Sequence, residues 1–159
     1  MMRVASQQPF ILTGTSPAAA GNSIIATVRG LARFSVIRVD AVLTQATGGV
    51  LDLYLQRRVV SNPPTSSIWL DWLHFTQLAA GSTVFRYSAV ASDAMPNVTI
   101  STVGQMNDDL SVGAFALTPA GTFVGGLPGD EVRLCAVAGA STSAGAVQNV
   151  YLTGFELYT

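Results

Sequence analysis

The chain contains no lysine: all eight basic side chains in its 159 residues are arginines, at 3, 29, 33, 38, 57, 58, 86 and 133. Free monomers commonly stay in solution with exposed Lys and Glu, whereas protein–protein interfaces are depleted in Lys and enriched in Arg. The exchange therefore points to a surface that tolerates close neighbours, although a GC-rich genome would produce the same trade. Charge of either sign is scarce, with Asp, Glu, Lys and Arg together at 11% and a net charge of -1, against about 25% charged residues in an average domain. That shortage excludes a basic nucleic-acid-binding face, and with 49% apolar residues it excludes a disordered chain. The single cysteine, Cys135, excludes an intramolecular disulfide; its place in the apolar run 132–137 makes a buried, inert thiol the default. No uncharged stretch reaches the roughly 20 apolar residues that span a bilayer. Residues 1–10 lack the apolar region and flanks of a signal peptide, so no membrane association is expected.

What the chain does have is a succession of short apolar or alternating runs separated by Gly, Pro, Ser, Thr and Asn, the pattern of strands and turns. Strands are predicted near 9–13, 22–28, 32–44, 50–59, 67–76, 83–88, 97–102, 131–138 and 146–158. The clearest places Leu51, Leu53 and Leu55 on one face and Asp52, Tyr54 and Gln56 on the other, at the period of two that strand side chains follow. One face then belongs to the core and the other to water. Before it, Ile37, Val39, Ala41 and Leu43 share a face opposite Arg38 and Asp40, and the turn at 45–49 makes the two runs a hairpin. The last run carries Val147, Tyr151, Phe155 and Leu157 on one side and Val150 and Leu152 on the other, so it reads as covered on both faces. No sustained helical period with caps occurs; one short helical turn is allowed within 106–117. Many short strands around a single core predict an all-β, two-sheet antiparallel sandwich of about eight or nine strands, with the jelly roll as leading topology. Residues 1–10 are expected as an N-terminal arm and residues 11–159 as one β-sandwich domain. The long stretch 101–129 is either a contact loop or the host of short strands at 114–117 and 122–124.

Chemistry has few carriers. His74 is the only histidine, so nucleophilic catalysis lacks all but one imidazole and any lysine base. No metal-ligand spacing accompanies it, and a structural histidine is the expectation. The nine acids, Asp40, Asp52, Asp71, Asp93, Asp108, Asp109, Asp130, Glu131 and Glu156, would serve glycoside hydrolysis only as a pair facing a cleft. Several sit beside turns, and Asp40 and Asp52 suit pairing with Arg38 or Arg57 on neighbouring strands. Calcium at 107–109 lacks the spaced ligands and glycine of a binding loop. Trp69, Trp72, Tyr54 and Tyr87 would make either a sugar-stacking platform or filling between sheets, the commoner use of aromatics at strand positions. The triplet Asn97, Val98, Thr99 matches a glycosylation acceptor and reads as chance without a signal peptide. No catalytic residue, cofactor or metal is expected.

The stretch from Thr47 through Leu51-Asp52-Leu53-Tyr54-Leu55-Gln56, followed after a turn by Trp69-Leu70-Asp71-Trp72-Leu73-His74-Phe75-Thr76-Gln77, resembles a segment of small virion structural proteins of tailed bacteriophages. In that pattern a strand of the type LDVYLQ leads through a turn into W-x-D and an HF pair; here the turn carries Pro63-Pro64 where the family often has Gly-Gly. The likeness covers about thirty residues. It implies a non-enzymatic β-sandwich of the virion, assembled in the host cytoplasm, of the capsid decoration or cement type. The partner implied is the major capsid protein of the shell, met by a homo-oligomer, a trimer for preference. Multivalent attachment of many modest contacts would supply the stability. Arg3, Gln7, Gln8, Phe10, Arg57 and Arg58 are the interface residues expected on this reading, with binding lost when residues 1–9 are removed. The alternatives are a neck, tail or fibre-base adaptor and a carbohydrate-binding receptor module.

Overall fold

The computed structural model describes residues 3–17, 21–45, 51–60, 67–75, 83–93, 98–99, 122–138 and 146–158. Ten strands run through them: β1 Arg3–Thr15, β2 Gly21–Arg29, β3 Val36–Gln45, β4 Leu51–Val60, β5 Ser67–His74, β6 Thr83–Ser92, β7 Val98–Thr99, β8 Thr122–Phe123, β9 Glu131–Ala138 and β10 Val147–Tyr158. No helix occurs among the described residues. The strands form one sheet, A, in the order β1-β10-β3-β6 and a second, B, in the order β2-β9-β4-β5-β8-β7. Every pairing is antiparallel. The chain crosses repeatedly between the two sheets, and apart from the two-residue β7 and β8 each sheet has four strands. This interleaving is the jelly roll, two Greek keys folded over one core.

The period-two patterns build that core. From sheet A, Leu12, Ile37, Val39, Ala41, Leu43, Val150 and Leu152 point inward; from sheet B come Leu51, Leu53, Leu55, Leu73, Val132, Leu134 and Ala136, all essentially inaccessible. Each fully buried Leu or Val stabilises the fold by about 1.5–3 kcal/mol relative to exposure, and together they set which side of each strand faces in, since a one-residue slip would turn the whole set outward. Aromatic rings fill the rest. Trp72 meets Phe123 edge-on at 5.6 Å, Phe75 lies 5.1 Å from Tyr87, and Phe10 meets Phe34 at 5.7 Å. Phe34 follows the left-handed Gly30 (φ 89°) in the connection from β2 to β3, and closes one end of the sandwich over Gly154. A side chain missed by the sequence reading, the buried Gln148, carries β10's pairing with β3 past the last backbone pair. Its amide accepts from Thr44 N at 2.9 Å and donates to Thr44 O at 2.7 Å.

Several expectations are revised. The arm expected at residues 1–10 is a strand from Arg3 on, paired with β10 from Arg3 opposite Tyr158 to Thr15 opposite Val147. The polar run Ser6, Gln7, Gln8 concealed it, but its backbone groups are satisfied by the longest neighbouring strand, whatever the side chains. Strand β3 starts at Val36, not 32, because Phe34 N bonds Leu31 O in a turn. Within 101–129, Thr122–Phe123 is indeed a strand; the helical turn and calcium loop placed in 106–117 and the strand at 114–117 lie outside the described residues.

Gly154 has no room for a side chain, since a Cβ there would press into the Phe34 ring. Gly154→Ala is expected to destabilise the protein by about 1–3 kcal/mol through overpacking. Gly14→Ala, whose Cβ meets a single methyl group of Ile25 where Gly154 would meet a whole ring, is expected to destabilise too, but by less; chemical denaturation of both variants measures the difference.

Candidate functional site

The outward side of sheet B carries the densest group of polar and titratable side chains among the described residues. Strand parity directs Asp52, Tyr54, Gln56 and Arg58 of β4, Trp69, Asp71 and His74 of β5, and Glu131, Arg133, Cys135 and Val137 of β9 away from the core. The reading of this face as wet does not hold: Asp52, Tyr54 and Gln56 are 0%, 2% and 5% exposed, and His74 is 0%. Burial of polar groups is affordable only with partners, and the register supplies most of them; Asp52 Oδ2 and Arg58 Nε are buried without one. Opposite Gln56 stand Asp71 on β5 and Arg133 on β9, with Tyr54 opposite His74 and Cys135.

Gln56 is the centre. Its amide donates to Asp71 Oδ1 at 2.9 Å, while its carbonyl oxygen accepts from Arg133 Nε and Nη2 at 2.9 and 2.7 Å and from the Cys135 thiol at 3.8 Å. The Arg133 guanidinium lies 4.1 Å over the Trp69 ring. One row along, Glu131 receives Arg29 at 3.0 Å and Arg58 at 2.8 Å. At the other end of the face His74 Nε2 and Asp52 Oδ1 are 2.5 Å apart, both buried, with the Tyr54 ring edge-on to the imidazole. Asp52 thus pairs with His74, not with Arg57 or Arg38; Arg38 pairs within its own strand with Asp40 at 2.6 Å.

The chemistry available is modest. Burial pushes the Asp52 carboxyl above the usual carboxylate range, and the His74 hydrogen bond and charge pull it back only in part. Burial also raises the Tyr54 hydroxyl and moves the Cys135 thiol up to about 11, against the pull of Arg133. At neutral pH both are protonated, so Cys135 is a poor nucleophile and a poor metal ligand. No group of three or more His, Cys, Asp or Glu able to hold a metal occurs among the described residues. A depression of about 310 Å³ over this face, lined by Asn22, Ser23, Ile24, Tyr54, Arg133 and Cys135, has the volume of a small ligand site.

The six residues expected at an interface are not brought together. Gln7 is exposed on β1; Gln8 accepts from Arg33; Phe10 is half-buried against Phe34. Arg57 donates to Leu127 O at 3.3 Å and Arg58 to Glu131, on the opposite sheet. Arg3 begins β1. The aromatic quartet does not form a platform, because Trp72, Tyr54 and Tyr87 are buried and Trp69 is covered by Arg133. Sequence reading missed Gln56 and Glu131 as organising residues. The only signal was the continuous apolar run 134–138 within β9, which marks a strand covered on both faces.

No family model matches the chain, and no curated protein does. Among solved structures, a chain of infectious bursal disease virus, Gx strain, overlays with a TM-score of 0.46 at 10% identity, over 96% of this chain and 34% of that one. A chain of the Gt strain gives a TM-score of 0.29 at 12% identity, over 99% and 42%. This chain therefore spans between a third and a half of those neighbours' lengths; the jelly-roll assignment rests on strand order and register and takes nothing from the overlays.

Two outcomes test the network. His74→Leu strands a buried carboxylate and is expected to cost about 3–5 kcal/mol, whereas Asp52→Asn keeps an acceptor for the imidazole without the charge and is expected to cost less. Glu131 is lowered overall: partial desolvation raises its carboxyl, but the hydrogen bonds and charges of Arg58 and Arg29 outweigh it. Its contribution is therefore present above the unfolded value near 4.5 and lost as pH falls through the lowered folded value. Melting temperature followed from pH 6 to about pH 3 is expected to fall less steeply in Glu131→Gln than in the parent.

Proposed function

We propose that this chain is a non-enzymatic structural protein of a tailed-phage virion, a capsid decoration protein that binds the assembled shell of major capsid protein and stabilises it through many modest contacts. The observation that carries the reading is the closure of the polar face of sheet B. Asp52 pairs with His74, Gln56 with Asp71 and Arg133, and Glu131 with Arg29 and Arg58. These groups are engaged with one another, as in an architectural network, and are not held ready for a substrate. The two segments that resemble virion proteins are β4 and β5, neighbours in sheet B whose Leu51, Leu53, Leu55, Trp72 and Leu73 are core, so the resemblance concerns scaffold. A lysine-free surface with few charges suits close lateral packing.

Removing residues 1–9 is not a clean test, because it strips β1 of its pairing from Arg3 to Pro9. Peptide counting on purified particles from the source lysate is. The expected result is a copy number comparable with that of the shell lattice, and purified protein that sediments with assembled shells but not with free shell subunits. A few copies per particle would mean a neck, tail or fibre-base position, and absence from particles would overturn the virion reading.

A further inference from the structure

Strand β10 is apolar on both faces, yet among the described residues only one of them is covered by the chain itself. Val150 and Leu152 are buried in the core, while Val147 and Tyr151 on the opposite side are 50% and 40% exposed. The outer face of sheet A also presents Ile11 of β1 and Val90 of β6, at 56% and 43%. It thus holds four of the nine exposed large apolar side chains among the described residues, where a solvated antiparallel face would alternate to polar.

We infer that this face is the contact surface for a second copy of the same chain. The register makes it self-complementary. One cross-strand row reads Ile11, Tyr151, Asp40, Ser88 across β1, β10, β3 and β6. Its β1–β10 half is a ridge formed by Ile11 and Tyr151. Its β3–β6 half is a hollow of about 340 Å³ lined by Asp40, Ala41, Val42, Tyr87 and Ser88. A two-fold axis along the strands between β10 and β3 carries each row onto itself, so the ridge of one copy enters the hollow of the other, twice.

Among the described side chains of this face, charge does not oppose the docking. Asp40 is already held by Arg38 at 2.6 Å and by the Ser88 hydroxyl at 2.8 Å, so the pair enters the contact neutral and hydrogen-bonded. The size is adequate: four strands about 4.8 Å apart and ten residues at about 3.3 Å each give a footprint of roughly 600 Å² per copy, the lower end of stable interfaces. An isologous contact of this kind closes as a dimer, whereas a three-fold ring would need two different surfaces. The inference stands apart from the virion reading, since it concerns the isolated chain.

Sedimentation equilibrium of the purified chain tests it. A monomer–dimer equilibrium is expected, with the dissociation constant raised at least tenfold by Ile11→Arg and by Tyr151→Ser. Ile24→Arg, an equally exposed position on sheet B, is expected to leave it unchanged. Cooperative melting of each variant reports folding. Independently, the double variant Ile11→Cys with Ser88→Cys, two positions that the axis sets face to face across the contact and that lie three strands apart within one chain, is expected to be joined between chains by a short bismaleimide, with the native Cys135 buried. A chain that stays monomeric at 100 µM and is not crosslinked, a trimer, or a dimer that only Ile24→Arg disrupts would overturn the inference.

Discussion

The outer face of sheet B depends on one buried amide. Gln56 sits where the β4–β5 register shifts, between Leu55 and Gln56, and it is the one side chain there that bonds to both neighbouring strands, donating to Asp71 and accepting from Arg133 and Cys135. A covered amide with both ends satisfied adds little net stability, but a covered amide with either end vacant costs about 1–3 kcal/mol. The arrangement therefore acts chiefly through what it forbids: any other register of β4 against β5 or β9 would strand Asp71, Arg133 or Gln56 itself. With β4 held so, Leu51, Leu53 and Leu55 are committed to the core, and the opposing leucines and valines of sheet A have a surface to close upon.

The two outer faces answer burial differently. On sheet B the polar groups are paired among themselves, from Asp52 with His74 to Glu131 between Arg29 and Arg58. Among the described side chains on the outer face of sheet A the charges are the hydrogen-bonded pair Arg38 and Asp40, and the remaining relief includes Ile11, Tyr151, Val90 and Val147. On sheet B the arginines Arg58 and Arg133 are engaged within the fold, Arg58 by Glu131 and Arg133 by Gln56 and Trp69.

Much of this was legible in the order of residues. Alternation in 51–57 and 36–43 identified inward leucines and valines correctly, and the spacing of turns identified a two-sheet sandwich, because side-chain period and turn chemistry are local properties. The strand at 3–9 was not legible, since its pairing with β10 lies some 150 residues away in the chain and its side chains are mostly polar. Nor was the burial of Asp52, Tyr54 and Gln56: alternation separates two faces but does not say whether the second is covered.

By itself, then, the sequence determined an all-β chain with one core, a single histidine, no lysine and a thiol placed for burial, because these follow from composition and from patterns within a dozen residues. Only the tertiary structure decided that Asp52 would meet His74, that Gln56 would join β5, β4 and β9, and that Ile11 and Tyr151 would stand as a ridge beside the hollow at Asp40 and Ser88. Those neighbours are fixed by strand order across two sheets, and strand order is set by long-range closure of the core, for which no local signal exists.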